Sequence, residues 1–154
     1  MTPAIRLGLR AGLAVGVLRA FWVAAEHGAG VRTAHLEWVE PSYGVFLLVG
    51  VPTAWVALSK TNRSSVGRDA AWWAVGLTAG LMAGLLHTAI HGAYAAWVNP
   101  DYLESFAAWN AATTANTLEV ARREFSLPAF MDVLVGHQLA LNLAMAWATS
   151  KRLM

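Results

Sequence analysis

Gly8-Leu9-Arg10-Ala11-Gly12-Leu13-Ala14-Val15-Gly16-Val17-Leu18 and Gly76-Leu77-Thr78-Ala79-Gly80-Leu81-Met82-Ala83-Gly84-Leu85-Leu86 are the stretches that decide the fold. Offset by 68 positions, they read as one motif, G-L-x-A-G-L-x-x-G-x-L, identical at 7 of 11 places. Glycine at every fourth residue lays a stripe of small side chains down a helix. In a membrane such a stripe lets a second backbone approach closely. Gly8, Gly12, Gly16 and Gly76, Gly80, Gly84 are therefore expected to be helix-packing surfaces. A polar residue follows each ladder at the same offset: Arg19 after the first, His87 after the second.

The flanking composition fits a membrane setting. Of 154 residues, 57% are hydrophobic and 13% charged, and eight are Trp. A soluble domain carries about 25% charged residues. There is no cysteine, which excludes disulfides, thiolate metal sites and thiol catalysis. The Lys and Arg residues sit at the ends of apolar runs and form no stripe, so the basic balance does not point to nucleic acid. Arg6, Arg10 and Val23-Ala24-Ala25 have the order of a signal peptide, but Arg19 interrupts its apolar core, and an uncleaved first helix is expected.

A spanning helix needs about 20 mostly apolar residues. Four segments qualify, at 5–25, 43–59, 70–98 and 128–149. The second contains Pro52, read as a kink. The fold expected is all-α and integral to the membrane: one domain over 1–154, with four transmembrane helices in a bundle. Two tandem helical hairpins are a further reading of the repeated ladder. Arg6, Arg10, Lys60, Arg63, Arg68, Lys151 and Arg152 cluster at the two termini and the middle loop, whereas most acids lie in the first and third loops. The positive-inside rule then puts both termini in the cytoplasm of a bacterial inner membrane. Trp22, Tyr43 and Trp97 would anchor the outer boundary, and Trp55, Trp72, Trp73 and Trp147 the inner one.

The third loop, 99–127, reads as a helical cap on the outer surface. Asn99-Pro100-Asp101 has the form of an N-cap, a proline in the first turn and an acid after it. A short amphipathic helix follows, carrying Leu103, Phe106, Ala107, Trp109 and Asn110. A second helix is expected over 117–125. Ser126 then caps the fourth span, with Pro128 in its first turn.

Val98-Asn99-Pro100-Asp101-Tyr102-Leu103-Glu104 resembles the I-N-P-D-F-L-E signature of domain-of-unknown-function family 4199, bacterial four-helix membrane proteins. The layout is also similar: a glycine-rich first helix, a basic middle loop, a helical third loop and a late fourth span. The resemblance implies the four-helix fold and carries no activity with it. The membrane histidines are not part of that family's pattern.

Polar residues inside the spans are the functional candidates. At ~100° per residue, with Gly76 at zero, Gly80 and Gly84 fall near ~40° and ~80°, and His87 and His91 near ~20° and ~60°. Both histidines are thus expected on the glycine stripe, and Arg19 on that of the first ladder. The fourth span adds Asp132, His137, Gln138 and Asn142. Arg19, His87, His91, Asp132 and His137 are expected to form a polar cluster in the outer half of the bundle. One reading is interhelical hydrogen bonding, with Arg19 paired to Asp132 or Glu26. Another is a ligand site in which His87, His91 and His137 hold a divalent metal, a haem or a chlorophyll-type pigment. A third is an ion or proton path. No nucleophile–base pair is present: Ser59, Ser64 and Ser65 lie at the inner face, remote from the histidines. His27 and His35, in the acidic first loop, read as solvated before they read as a weak cation site.

The function expected is non-catalytic: an accessory or scaffold subunit of a membrane assembly, or a self-associating bundle, in contact with lipid. The alternatives are a binding protein using the histidines to serve an electron-transfer or photosynthetic complex, and an oligomeric transporter or channel.

Overall fold

The computed structural model describes residues 1–46 and 71–151, with the side chains of 71, 72, 127, 130–134 and 149–151 left aside. Helix α1 (Pro3–Gly28) opens with Thr2, whose hydroxyl accepts from the Ile5 amide at 3.4 Å, and with proline at its first position. A single 3₁₀ turn, Leu36–Trp38, leads to helix α2, described over 39–46. Helix α3 (Ala71–Ala93) runs into a π-helical turn, Tyr94–Val98. The cap is built by α4 (Tyr102–Thr113) and α5 (Leu118–Glu124), and α6 is Leu127–Lys151. The described residues contain no strand. Among them, two helical stretches are long and apolar enough to cross a membrane, Pro3–Gly28 and Trp73–Val98. Helix α6 matches them in length but carries Asp132, His137, Gln138 and Asn142. Of the other segments read as spans, residues 47–59 lie outside the described residues, with Trp55 and Pro52 among them.

The glycine ladders are contact surfaces, and α3 is the middle helix of three. A Cβ at Gly8 would come 2.7 Å from the Val75 carbonyl oxygen, and one at Gly12 would come 2.6 Å from that of Ala79. Gly16 lies against Leu86. Helix α1 therefore packs parallel to α3. The second ladder meets α6: a Cβ at Gly76, Gly80 or Gly84 would come 2.9, 2.7 and 2.8 Å from the Cα atoms of Leu143, Leu139 and Val135. That pairing is antiparallel. At such distances only hydrogen fits, so backbone-to-backbone packing depends on glycine here. The two ladders thus do not play equivalent parts: one joins α1 to α3 and the other joins α3 to α6.

The angular reading of the histidines is refined by this arrangement. On α3 two rows run side by side. Gly76, Gly80 and Gly84 face α6, whereas Val75, Ala79 and Ala83 are buried toward α1 and continue directly into His87 and His91. Arg19 likewise extends the row Leu7, Ala11, Val15, and the position that would extend the glycine row, Ala20, is exposed. An i+4 row drifts by ~40° at each step. Averaging angles over a whole helix therefore merges two neighbouring rows that face different partners.

Large apolar side chains point outward. Leu13, Val17 and Phe21 form an exposed row on α1, and Trp73, Leu77, Leu81 and Leu85 form one on α3. The core between the helices is made instead of Ala4, Leu7, Ala11, Val15, Val75, Ala79 and Ala83, with Phe46 and Met145. Trp97 and Trp147 are exposed, while Trp22 is half-buried and donates to Ser42 at 2.9 Å.

The cap forms much as its sequence indicates. Thr117 caps α5, accepting from the Val120 amide, and Ser126 Oγ accepts from Ala129 in the first turn of α6. Phe106 packs between Tyr102, Trp109 and Phe125, with the Phe125 ring edge-on at 4.7 Å. Asn99 departs from its expected part. The residue flanking α4 is Asp101, and Asn99 Nδ2 donates instead to the Arg32 carbonyl at 3.1 Å, tying the cap to the turn after α1.

Candidate functional site

The C-terminal ends of α1 and α3 meet the described part of α2 around a cluster of buried charged and polar side chains. Arg19, at 3% exposure, is delivered by α1, and Glu26, at 4%, follows it two turns later on the same face. Seven residues on a helix is nearly two full turns. The chain then reverses at Gly30, whose φ of 75° lies in the left-handed region that favours glycine. The amides of Thr33, Ala34 and His35 close that turn on the Gly30 carbonyl. The reversal carries Arg32 back over the helix end, where it is 1% exposed.

Glu26 is shared. Arg32 donates through Nε to Oε2 at 2.6 Å, and its Nη2 lies 2.6 Å from the same oxygen. Ser42 donates to Oε1 at 2.6 Å. Arg19 Nη1 stands 3.8 Å from Oε1, an ion pair too long for a hydrogen bond. Both guanidinium groups rest on aromatic faces. Arg19 lies 4.8 Å from the Phe46 ring centre and 5.5 Å from that of Tyr43. Arg32 lies 5.1 Å from Tyr94 and 5.0 Å from Tyr102. Cation–π contact stabilises a desolvated guanidinium where water cannot reach it.

The histidine pair joins this cluster from α3. His91 Nε2 is 3.1 Å from His87 Nε2 and 3.2 Å from Arg19 Nη2, and its Nδ1 is 3.4 Å from Arg32 Nη1. His87 Nδ1 is buried without a hydrogen-bond partner among the described residues. Tyr94 is held by His27, 3.0 Å from its hydroxyl. Burial raises the pKa of the Tyr102 phenol, against the opposing pull of Arg32.

Arg19, Arg32, His87 and His91 line a cavity of about 240 Å³, together with Val39, Glu40, Tyr43, Tyr102, Phe106, Phe125 and His137. The expected cluster is thus assembled for Arg19, His87 and His91. His137 borders the same cavity, but it is exposed, and no hydrogen bond joins it to the histidine pair among the described side chains. The Asp132 side chain lies outside the described residues. Of the two partners expected for Arg19, Glu26 is present. Gln138 and Asn142 are buried deeper in the bundle, where Asn142 Nδ2 donates to the Gln138 carbonyl at 2.8 Å.

Sequence reasoning gave Glu26 as one of two candidate partners for Arg19 and singled out neither Arg32 nor Ser42. For Glu26 a signal existed, its helical phase with Arg19. For Arg32 none did, because its burial depends on a turn of non-periodic backbone.

The cluster changes what the histidines are suited to hold. No group of three His, Asp or Glu side chains positioned for a metal ion occurs among the described residues. Two guanidinium groups also stand within 3.4 Å of His91, and at such range positive charges repel a divalent cation strongly. Comparison of the chain with protein-family models, curated proteins and solved structures found no match in any of the three.

Proposed function

We propose that the chain is a four-span inner-membrane protein of non-catalytic role, an accessory subunit of a membrane assembly that binds a small ligand in its outer half. The observation that carries the membrane reading is the inverted distribution of side chains. Arg19, Glu26, Arg32, His87, His91, Gln138 and Asn142 are buried, while rows of Leu, Val, Phe and Trp face outward. Water would drive the opposite arrangement, whereas hydrocarbon imposes this one. The parallel packing of α1 and α3 supports a return crossing between them, because Gly28 and Ala71 stand at opposite ends of the bundle. With the basic residues of the termini and middle loop, this favours cytoplasmic termini.

The binding role rests on the cavity. Buried ionisable groups are costly, and a bundle held only by close packing has no need to cluster them around an open space of about 240 Å³. Membrane placement is tested with single cysteines, which the cysteine-free chain makes unambiguous. Thr2→Cys and Ala115→Cys, in intact cells, should resist and accept an impermeant maleimide, respectively. Equal labelling of both would end the four-span reading.

A further inference from the structure

We infer that the outer cavity binds a singly charged oxyanion, a carboxylate or phosphate ester carried on an apolar body. The inference rests on the proposed binding role and adds the chemistry of the ligand.

The argument is a count of donors and acceptors. A guanidinium has five N–H donors and no acceptor, and a neutral imidazole has one donor and one acceptor. Glu26 is already engaged at both oxygens, by Ser42 and by Arg32. Among the described residues, Arg19 Nε and Nη1 are left buried without a hydrogen bond. His91 cannot satisfy both arginines. If its Nδ1 accepts from Arg32, its Nε2 carries the proton, donates to His87 and presents N–H to Arg19. If Nε2 accepts from Arg19, Nδ1–H faces Arg32 instead. Either tautomer leaves a guanidinium donor without an imidazole acceptor.

The charges agree. Among the described side chains, two buried arginines share one buried carboxylate, an excess of one positive charge. Glu40, the carboxylate that lines the cavity among the described residues, is exposed. An oxyanion would supply both the missing acceptors and the missing charge. Val39, Tyr43, Phe106 and Phe125 line the rest of the cavity and suit an apolar body attached to the anion.

The ligand's source separates experimentally. Delipidated protein in neutral detergent is titrated with oleate, with phosphatidylglycerol, and with benzoate and inorganic phosphate, and binding is read from tryptophan fluorescence and melting temperature. Oleyl alcohol and phosphatidylcholine are the uncharged and zwitterionic controls. Saturable binding of an anion, with the controls at least tenfold weaker, is expected. Saturation by benzoate or phosphate identifies a water-soluble ligand, and saturation by the amphiphiles alone identifies a membrane lipid. Arg19→Gln should weaken the anion at least tenfold, and Glu104→Gln, in the exposed pair with Arg122, should leave its affinity unchanged. The inference is overturned if anions and controls bind alike, or if only Asp132→Asn protein binds the anion, since that carboxylate would then be the built-in counter-charge. The wild-type comparison stands even if Arg19→Gln does not fold. Binding of a metal or haem without any anion would overturn the inference and leave the binding role intact; no binding of any probe would remove both.

Discussion

Arg19 and Arg32 carry the same charge and both reach Glu26 and His91, yet their surroundings assign them different parts. Arg32 makes two short contacts with Glu26, whereas Arg19 holds it at 3.8 Å and keeps unsatisfied donors. Removing one partner of a buried pair costs about 3–5 kcal/mol, because it leaves an uncompensated charge. Glu26→Gln strands both arginines and is expected to destabilise by about that amount, and Arg32→Met, which strands Glu26, somewhat less. Arg19→Met leaves the Arg32–Glu26 pair whole and should be neutral or stabilising in protein stripped of ligand. Unfolding in mixed detergent, followed by tryptophan fluorescence, orders the three; an Arg19→Met loss as large as that of Glu26→Gln would contradict the assignment. Tyr102 gives a pH dependence. Burial raises its pKa, so the fold favours the neutral phenol. That contribution is complete below the ordinary tyrosine value near ~10 and is lost as pH rises through the raised one. Tyrosinate absorbance of wild type minus Tyr102→Phe should show a titration above that ordinary value, accompanied by loosening of the cap. Glu26 could be read from its helical phase with Arg19, but Arg32 could not, because a left-handed glycine turn and not a periodicity buries it.

At the scale of elements, glycine spacing sets which helices touch. A Cβ at Gly12 or Gly80 would press on neighbouring backbone at 2.6–2.7 Å, so Gly12→Ala and Gly80→Ala must push helices apart. Overpacking of this kind costs about 1–3 kcal/mol. A Cβ at Gly136, in the interior of α6, would meet nothing within 4 Å among the described residues. Gly136→Ala should therefore stabilise by about 0.5–1 kcal/mol through helix propensity alone. Reversible unfolding of the three variants is the measurement, and equal behaviour of Gly80→Ala and Gly136→Ala would refute the packing argument. Both ladders announced close contact from sequence. Their partners were not legible: the repeated motif invites a repeated hairpin, but the ladders join α1 to α3 and α3 to α6. The cap shows the same division. Thr117 and Ser126 act locally and are readable, while Asn99 serves a carbonyl 67 residues away.

At the scale of the molecule, the described residues bury a cluster of charged and polar side chains while rows of large apolar ones face outward, and the consequence is mechanical. Small residues let α1, α3 and α6 approach, the approach brings polar rows from different helices to one level, and the cavity forms where those rows meet beneath the aromatic cap. Phe106 and Phe125 belong both to the cap's packing and to the cavity wall. Phe106→Ala is expected to loosen the cap, at a cost of about 3–5 kcal/mol locally, and to admit water to the cluster. Hydrogen exchange of the Tyr102–Thr113 amides should quicken while that of the α1–α3 core does not. Uniform acceleration would show that cap and bundle unfold as one unit.

The sequence by itself determined the helices, their packing stripes, the helical cap and the burial of Arg19, His87 and His91, because each is a matter of composition or period along one chain segment. Tertiary structure alone decided that two arginines share Glu26, that His91 stands between them and that an aromatic-walled cavity opens there. These depend on which rows meet at which level and on a single left-handed turn at Gly30, and such registers are set by three-dimensional packing.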